Sequence, residues 1–323
     1  MSAGAPGPRA AAALVVGEAL VDVVHARGRS REHPGGSPSN VALGLARLGR
    51  PARLLTRLVD DERGRGVLEH LRGSGVELAA PLLPAEDGVR TSTAQAHVGA
   101  DGGAQYEFDL EWSLPGRVLD EVLSPADGGR PLVVCTGSLG TALEPGATQV
   151  GQLLEALRPT TTVVYDPNLR PTIIGSAEGA RPGVEALVGT ADVVKLSAED
   201  AEWLFPDRAP EETARSWLGL GPAVVVLTRG EDGALALCAA GEVDQPGRAV
   251  EVADTVGAGD SFTGGLVDAL WSAGLLGADR RDELARVGTE VLAGCVAAAV
   301  EVAAVTVSRP GADPPTRAEL GRG

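Results

Sequence analysis

Short apolar runs rich in valine and leucine alternate along the chain with segments whose apolar positions recur at helical spacing. Residues 14–24, 52–58, 132–136, 162–165, 192–196 and 224–228 read as strands on this pattern. Between them, residues 38–48 form a predicted helix with Ser37 as its cap, Pro38 in the first position and Gly49 as its stop. Residues 61–72 and 148–157 are further helical candidates. This alternation predicts an α/β fold: a mostly parallel sheet with helices on both faces, and ligands at the carboxyl ends of the strands. Residues 91–98 and 104–110 break the rhythm, alternating polar with apolar around the turn at 99–103, and read as a hairpin that forms either a lid or an edge of the main sheet. Residues 282–302 read as one long alanine-rich helix, after which Pro310 and Gly311 end the ordered fold. No internal repeat or linker divides the chain. The expectation is one domain over 1–323, with a lid from 23–34 and 89–112 and flexible tails at 1–12 and 310–323.

Composition narrows the function. Hydrophobic residues at 44% and charged residues at 22% suit a globular chain of 323 residues with ample core. A net charge of -16 argues against nucleic acid or an anionic membrane as partner, because both reward basic surfaces. A small phosphate ligand needs only local amides, a metal ion or one arginine, so a nucleotide remains open. Cys135, Cys238 and Cys295 are odd in number and set among apolar residues, which suits buried free thiols in a reducing, cytoplasmic compartment. The apolar run at 293–307 is broken by Glu301 and reads as too short to span a bilayer, and residues 1–13 read as a frayed tail rather than a signal peptide. Lys195 is the only lysine, and Leu196 follows it, which excludes a Walker A loop. The four histidines show no paired helical spacing and no Cys-x-x-Cys occurs, so metal catalysis by protein ligands alone is not expected.

Chemistry concentrates at Asp254-Thr-Val-Gly-Ala-Gly-Asp-Ser-Phe262. The Gly257 and Gly259 pair lets backbone approach a ligand, and the amides of Gly257, Ala258 and Gly259 would meet an anion at the positive end of a helix dipole. Asp260 behind them is either a base for a hydroxyl attacking phosphate or a simple helix cap. Gly35-Gly-Ser-Pro-Ser-Asn40 offers glycine backbone and the Asn40 amide to a polyol, and Asp22 ends a strand where its carboxylate could accept from sugar hydroxyls. Asp166-Pro-Asn-Leu-Arg170 sets Arg170 near the same edge, and Thr228-Arg-Gly-Glu-Asp-Gly233 supplies a hydroxyl and a turn. A nicotinamide fingerprint fails at Phe262 and at Glu69.

In this order, these segments resemble the ribokinase-like, or PfkB, family of carbohydrate kinases. Gly35 through Asn40 with Gly44 to Gly49 is similar to the family's first signature, and Asp254 to Phe262 to its second. The resemblance implies a three-layer α/β/α fold with a small β lid, ATP as donor, Mg²⁺, and often K⁺ near the position of Asp254. It implies Asp260 as catalytic base and Gly257, Ala258 and Gly259 as anion hole. Asp22, Gly35, Gly36, Asn40 and Arg170 would hold the sugar, and Lys195, Thr228, Gly230 and Gly233 would lie along the nucleotide. The family's Asn-x-x-Glu appears here as Ser197-Ala-Glu-Asp200, so either Asp200 or Glu199 would order waters around Mg²⁺. Gly17 to Asp22, Asp166 to Arg170 and Lys195-Leu-Ser look most like fructokinases and 2-keto-3-deoxygluconate kinases. Phe108-Asp-Leu-Glu-Trp112 departs from the basic segment of fructokinases, and its acidity favours a neutral sugar over an anionic one. Fructose is the first expectation; 2-keto-3-deoxygluconate, ribose or a nucleoside, or a non-catalytic sensor on the same fold, are the alternatives. Many family members pair through the lid, so a homodimer is implied too.

Overall fold

The computed structural model describes residues 11–26, 29–98, 104–114, 122 and 130–321. Residues 1–10 of the tail expected at 1–12, the hairpin turn at 99–103 and residues 322–323 lie outside the described residues. In chain order the strands are β1 (Ala13–Val16), β2 (Leu20–Ala26), β3 (Arg29–Gly35), β4 (Ala52–Leu55), β5 (Glu77–Leu78), β6 (Thr93–Val98), β7 (Ala104–Asp109), β8 (Val133–Gly137), β9 (Thr162–Asp166), β10 (Val193–Ser197), β11 (Val224–Thr228), β12 (Ala234–Cys238) and β13 (Gly241–Gln245).

Nine of them form one sheet in the order β13-β12-β11-β10-β9-β8-β1-β4-β5. It is parallel from β11 to β5, with β12 and β13 added antiparallel at one edge. Successive strand residues face opposite sides of this sheet, which gives it two cores. Ala13, Val15, Leu54, Cys135, Val164 and Val226 join the helices Ser37–Arg47, Ala258–Ser272 and Thr289–Val307 on one side. Leu14, Val16, Leu55, Val134, Tyr165 and Leu227 join the helices Gly146–Leu157, Ala177–Thr190 and Pro210–Leu218 on the other. The result is the three-layer α/β/α architecture the sequence predicts. Chain order reverses at β1, between β8 and β4, so the carboxyl ends of β1 and β8 open a crevice suited to a ligand.

Several sequence expectations are corrected. Residues 14–24 do not form one strand: Gly17, at φ +151°, turns the chain where a Cβ would overlap the ring of Pro38, and β2 leaves for a second sheet. That sheet has the order β3-β2-β6-β7. Strand β3 carries the sequence RSREHPG and is exposed through most of its length, so no apolar alternation announces it. The first helix starts at Ser37 with Gly36 as its N-cap, and the Ser37 side chain makes no capping bond. The single helix expected at 282–302 is two, Arg281–Ala285 and Thr289–Val307, with Gly288 in extended conformation between them. The second of these is long and apolar enough to cross a membrane by length and composition, contrary to the shorter run expected, yet it buries Leu292, Val296, Ala299 and Val302 in the core against the helix Ala258–Ser272.

The expected tail beyond 310 is instead held over residues 311–320. The Gly311 amide donates to Asp254 Oδ2 at 2.9 Å, and Arg317 donates to Leu48 O at 2.7 Å and Asp268 Oδ1 at 2.5 Å. These polar bonds, together with the burial of Pro314 and Pro315, hold a segment that carries no apolar run in the sequence.

Candidate active site

The turn Asp254–Gly257 leads into the helix Ala258–Ser272 on the side of the sheet where its strands end. Gly257 adopts φ +75°, and a Cβ there would lie 2.6 Å from that of Ala312, so glycine is required twice over. Asp254 ties the turn down: its Oδ1 accepts from the Val256 amide at 3.0 Å and its Oδ2 from Gly311. These amide bonds hold its carboxyl below the usual range. The Ala258 amide is taken by the Thr255 carbonyl at 3.2 Å. That corrects the expectation of three open amides; those of Gly257 and Gly259 have no backbone acceptor among the described residues.

Asp260, one turn into the helix, is buried and faces the first helix and the end of β9. Its Oδ1 accepts from Ser37 Oγ at 2.6 Å and from Asn168 Nδ2 at 3.3 Å, while its Oδ2 accepts from Asn40 Nδ2 at 2.8 Å. Capping does not explain these contacts, because Gly257 holds the N-cap position. Asp22 projects from β2 over Gly35, where any Cβ would overlap its carboxylate. Burial raises the Asp22 pKa, against the opposing charges of His33 and Arg170. Gly36, at φ +100°, brings its backbone so near Glu18 that a Cβ would sit 2.5 Å from the Glu18 carbonyl. Arg170 is exposed, and its Nη1 donates to Asn168 Oδ1 at 2.7 Å and to the carbonyls of Asn168 and Leu169. Asn40 thus meets Asp260 directly, and Gly35 and Gly36, at the start of the helix that carries Asn40, bring Asp22 next to that helix end.

Lys195 is placed differently from the sequence expectation. It is buried beneath the turn at 254–257 rather than open to solvent: its Nζ lies 3.1 Å from Asp166 Oδ2 and 3.0 Å from where a Gly259 Cβ would be. Thr263 Oγ1 lies 3.0 Å from both Asp166 Oδ2 and the Gly259 carbonyl, completing a floor under the turn. Burial works against the Lys195 charge, but Asp166, Asp200 and Asp260 around it hold its pKa above the usual lysine value. Burial pushes the Asp166 carboxyl up to about 6, with Lys195 opposing.

Asp200 forms a capping box with Ser197, accepting from the Ser197 amide and hydroxyl through Oδ2 and from the Leu169 amide through Oδ1 at 2.8 Å. It is buried, whereas Glu199 is exposed. Among the described residues no three His, Cys, Asp or Glu side chains form a metal-binding group. Thr228 ends β11 with its hydroxyl 3.3 Å from the Leu196 carbonyl, and Gly230 and Gly233 follow at φ +56° and +88° in the next turn. The acidic segment at 109–111 is not left as bare charge: Glu111 pairs with Arg57, and Asp109 with Arg90. Acidity at 109–111 therefore does not by itself select a neutral sugar.

Sequence reasoning missed Glu18, Asp166, Asn168 and Thr263, and read Ser37 only as a cap. Only Asp166 and Asn168 carried a signal, as polar residues following a strand in the stretch Asp166-Pro-Asn. Glu18 lies at the end of β1, its Oε2 accepting from the Gly140 amide at 2.9 Å, and burial pushes its pKa up to about 7. A carboxyl raised in the fold binds its proton more tightly there than in the unfolded chain, so its contribution to stability falls as pH rises from its ordinary 4.5 through about 7. Glu18→Gln removes that titration. The variant is expected to gain melting temperature over the parent at about pH 8 and to gain less at about pH 5, measured by scanning fluorimetry. An equal difference at both pH values would contradict a buried ionising carboxyl.

Comparisons with known proteins agree with this geometry. Residues 11–319 match the model of the pfkB family carbohydrate kinases. The chain is 30% identical over 262 residues to a fructokinase of Rhizobium leguminosarum bv. trifolii, spanning 80% of this chain and 79% of that protein. It is 31% identical over 264 residues to a fructokinase of Klebsiella pneumoniae, spanning 81% and 85%. Among solved structures, a double mutant of fructokinase from Vibrio cholerae O395 in a fructose-, ADP- and potassium-bound form superposes with a TM-score of 0.77 at 25% identity, covering 96% of this chain and 97% of that one. Fructokinase from Xylella fastidiosa with bound ATP superposes with a TM-score of 0.82 at 21% identity over 96% and 97%, a likeness of fold.

Proposed function

The chain belongs to the pfkB family of carbohydrate kinases, and we propose that this sugar kinase phosphorylates a hydroxyl of fructose, using ATP and Asp260 as base. The observation that carries the reading is Asp260 itself. It is a buried carboxylate fixed by Ser37, Asn40 and Asn168 in the same first helical turn as the open amides of Gly257 and Gly259. The fructokinase relatives support the choice of sugar.

In this reading Asp22, Gly35, Gly36 and Asn40 bind the sugar and turn one hydroxyl toward Asp260, with Arg170 at the rim. ATP, when bound, supplies the phosphoryl group, with Mg²⁺ screening its charge. The residues fit such a group: the amides of Gly257 and Gly259 at the helix N-terminus suit phosphate oxygens, and Thr228, Gly230 and Gly233 suit the rest of a nucleotide. Magnesium commonly keeps several waters and binds through one or two carboxylates plus phosphates, which fits Asp200 or Glu199 acting through water. Asp254 would serve K⁺ with its remaining acceptor positions. Lys195 is reassigned from nucleotide contact to support of the turn. We extend the proposal to a lid formed by β3-β2-β6-β7, to pairing of two copies through that sheet, and to a cytoplasmic setting, which three buried free cysteines suit.

ADP release assayed over neutral hexoses, pentoses, nucleosides and sugar acids tests the reading. Fructose is expected to give the highest kcat/KM. A nucleoside or sugar acid preferred by more than about tenfold would overturn the choice of sugar.

A further inference from the structure

We propose that Ser37 and Asn168 are positioning residues for Asp260: they pin its Oδ1 and leave Oδ2 as the one atom that takes the proton of the attacking hydroxyl. The inference rests on the kinase reading above and adds to it the division of labour within the carboxylate.

An ionised carboxylate only accepts, offering roughly four lone-pair positions over two oxygens. Ser37 and Asn168 fill both positions on Oδ1, and Asn40 fills one on Oδ2. One position is left, on Oδ2 beside Asn40, and a substrate hydroxyl can donate there without displacing any protein group. The polarity of the support is fixed from both ends. Arg170 can only donate, and gives Nη1–H to Asn168 Oδ1 at 2.7 Å, which turns the Asn168 NH₂ toward Ser37. Asn168 Nδ2 donates to Ser37 Oγ at 2.7 Å, which turns the Ser37 proton toward Asp260. The chain Arg170, Asn168, Ser37, Asp260 therefore runs in one direction only.

Local backbone supports the same assignment. Gly36 takes the N-cap of the first helix, so the Ser37 hydroxyl is spared from capping. Asn168 sits at φ +38°, a region that non-glycine residues seldom occupy and that tends to persist where function requires it. In the reaction, the substrate oxygen bonds to the γ-phosphorus as the bond from that phosphorus to the ADP oxygen breaks. The hydroxyl proton passes to Asp260 Oδ2. Without Ser37 or Asn168 the carboxylate can rotate about its last torsion, and fewer encounters align Oδ2 with the hydroxyl.

Steady-state kinetics of Ser37→Ala, Ser37→Thr and Asn168→Gly, with sugar affinity measured by calorimetry, test this. Glycine at 168 removes the amide without imposing strain at positive φ. Ser37→Ala and Asn168→Gly are expected to lower kcat by about 10- to 100-fold while sugar KM and affinity stay within about twofold of the parent. Ser37→Thr, which keeps the hydroxyl, is expected to recover most of the loss. A rise in sugar KM with kcat retained would make these residues sugar contacts and overturn the proposal, as would wild-type kinetics in both loss variants or a threonine variant no better than alanine. A parent protein that transfers phosphate to no sugar would instead sink the kinase reading beneath it.

Discussion

Asp260→Asn is expected to lower kcat by about 10²- to 10⁴-fold, the range a positioned general base contributes, with the fold intact. The amide is nearly isosteric, and the surroundings decide how it sits. With its carbonyl oxygen toward the Asn40 NH₂, its own NH₂ meets Ser37, whose oxygen can accept, and faces the Asn168 NH₂ only at the longer distance of 3.3 Å. The opposite orientation sets NH₂ against NH₂ at Asn40. The first orientation places its mismatch at the longer contact and is preferred, and the stability cost is about 1–3 kcal/mol, that of one buried polar group left without its partner. ADP release with fructose, run beside urea unfolding, separates the two effects. Turnover within a few-fold of the parent would remove Asp260 from the chemistry, and a collapse of stability would make it structural.

The layered fold was legible because parallel strands buried on both faces leave apolar runs in the sequence, and β8 to β11 do so. The turn into the helix at 258 was legible because paired glycines next to an aspartate have few uses other than at the start of a helix. What could not be read were contacts made across the chain. Ser37 and Asp260 stand 223 positions apart, and nothing near Ser37 shows that its hydroxyl abandons the cap for a carboxylate. Strand β3 was invisible because a sheet exposed on that strand needs no apolar alternation. Lys195 was misplaced for a different reason: the family resemblance put it along the nucleotide, but its neighbours along the chain are the apolar residues of a central strand, and burial there called for an acidic partner, which Asp166 on adjacent β9 supplies.

That partnership sets the largest stability effect. Lys195 and Asp166 have side chains only 3% and 6% exposed, and Lys195→Met keeps the volume while removing the charge. Asp166 would keep the Thr263 hydroxyl but lose its cation, within the fields of Asp200 and Asp260. Removing one member of a buried ion pair costs about 3–5 kcal/mol, and the variant is expected to lose that much near neutral pH. The pH dependence fixes the cause. With Lys195 present the Asp166 carboxyl is already raised to about 6, so the native state holds its proton more tightly than the unfolded chain does. Its contribution to stability falls as pH climbs from its ordinary range through about 6. Without the lysine the carboxyl rises further, the fall extends to higher pH, and the deficit against the parent should be smaller at about pH 5 than at about pH 8. Lysine itself titrates well above this window and does not alter the sign. Lys195→Met/Asp166→Asn, which removes both charges, should regain most of the loss in a double-mutant cycle. Urea unfolding at the two pH values reads all of this. A nucleotide contact would behave otherwise, raising the KM for ATP with little change in stability, and that result would return Lys195 to the phosphate.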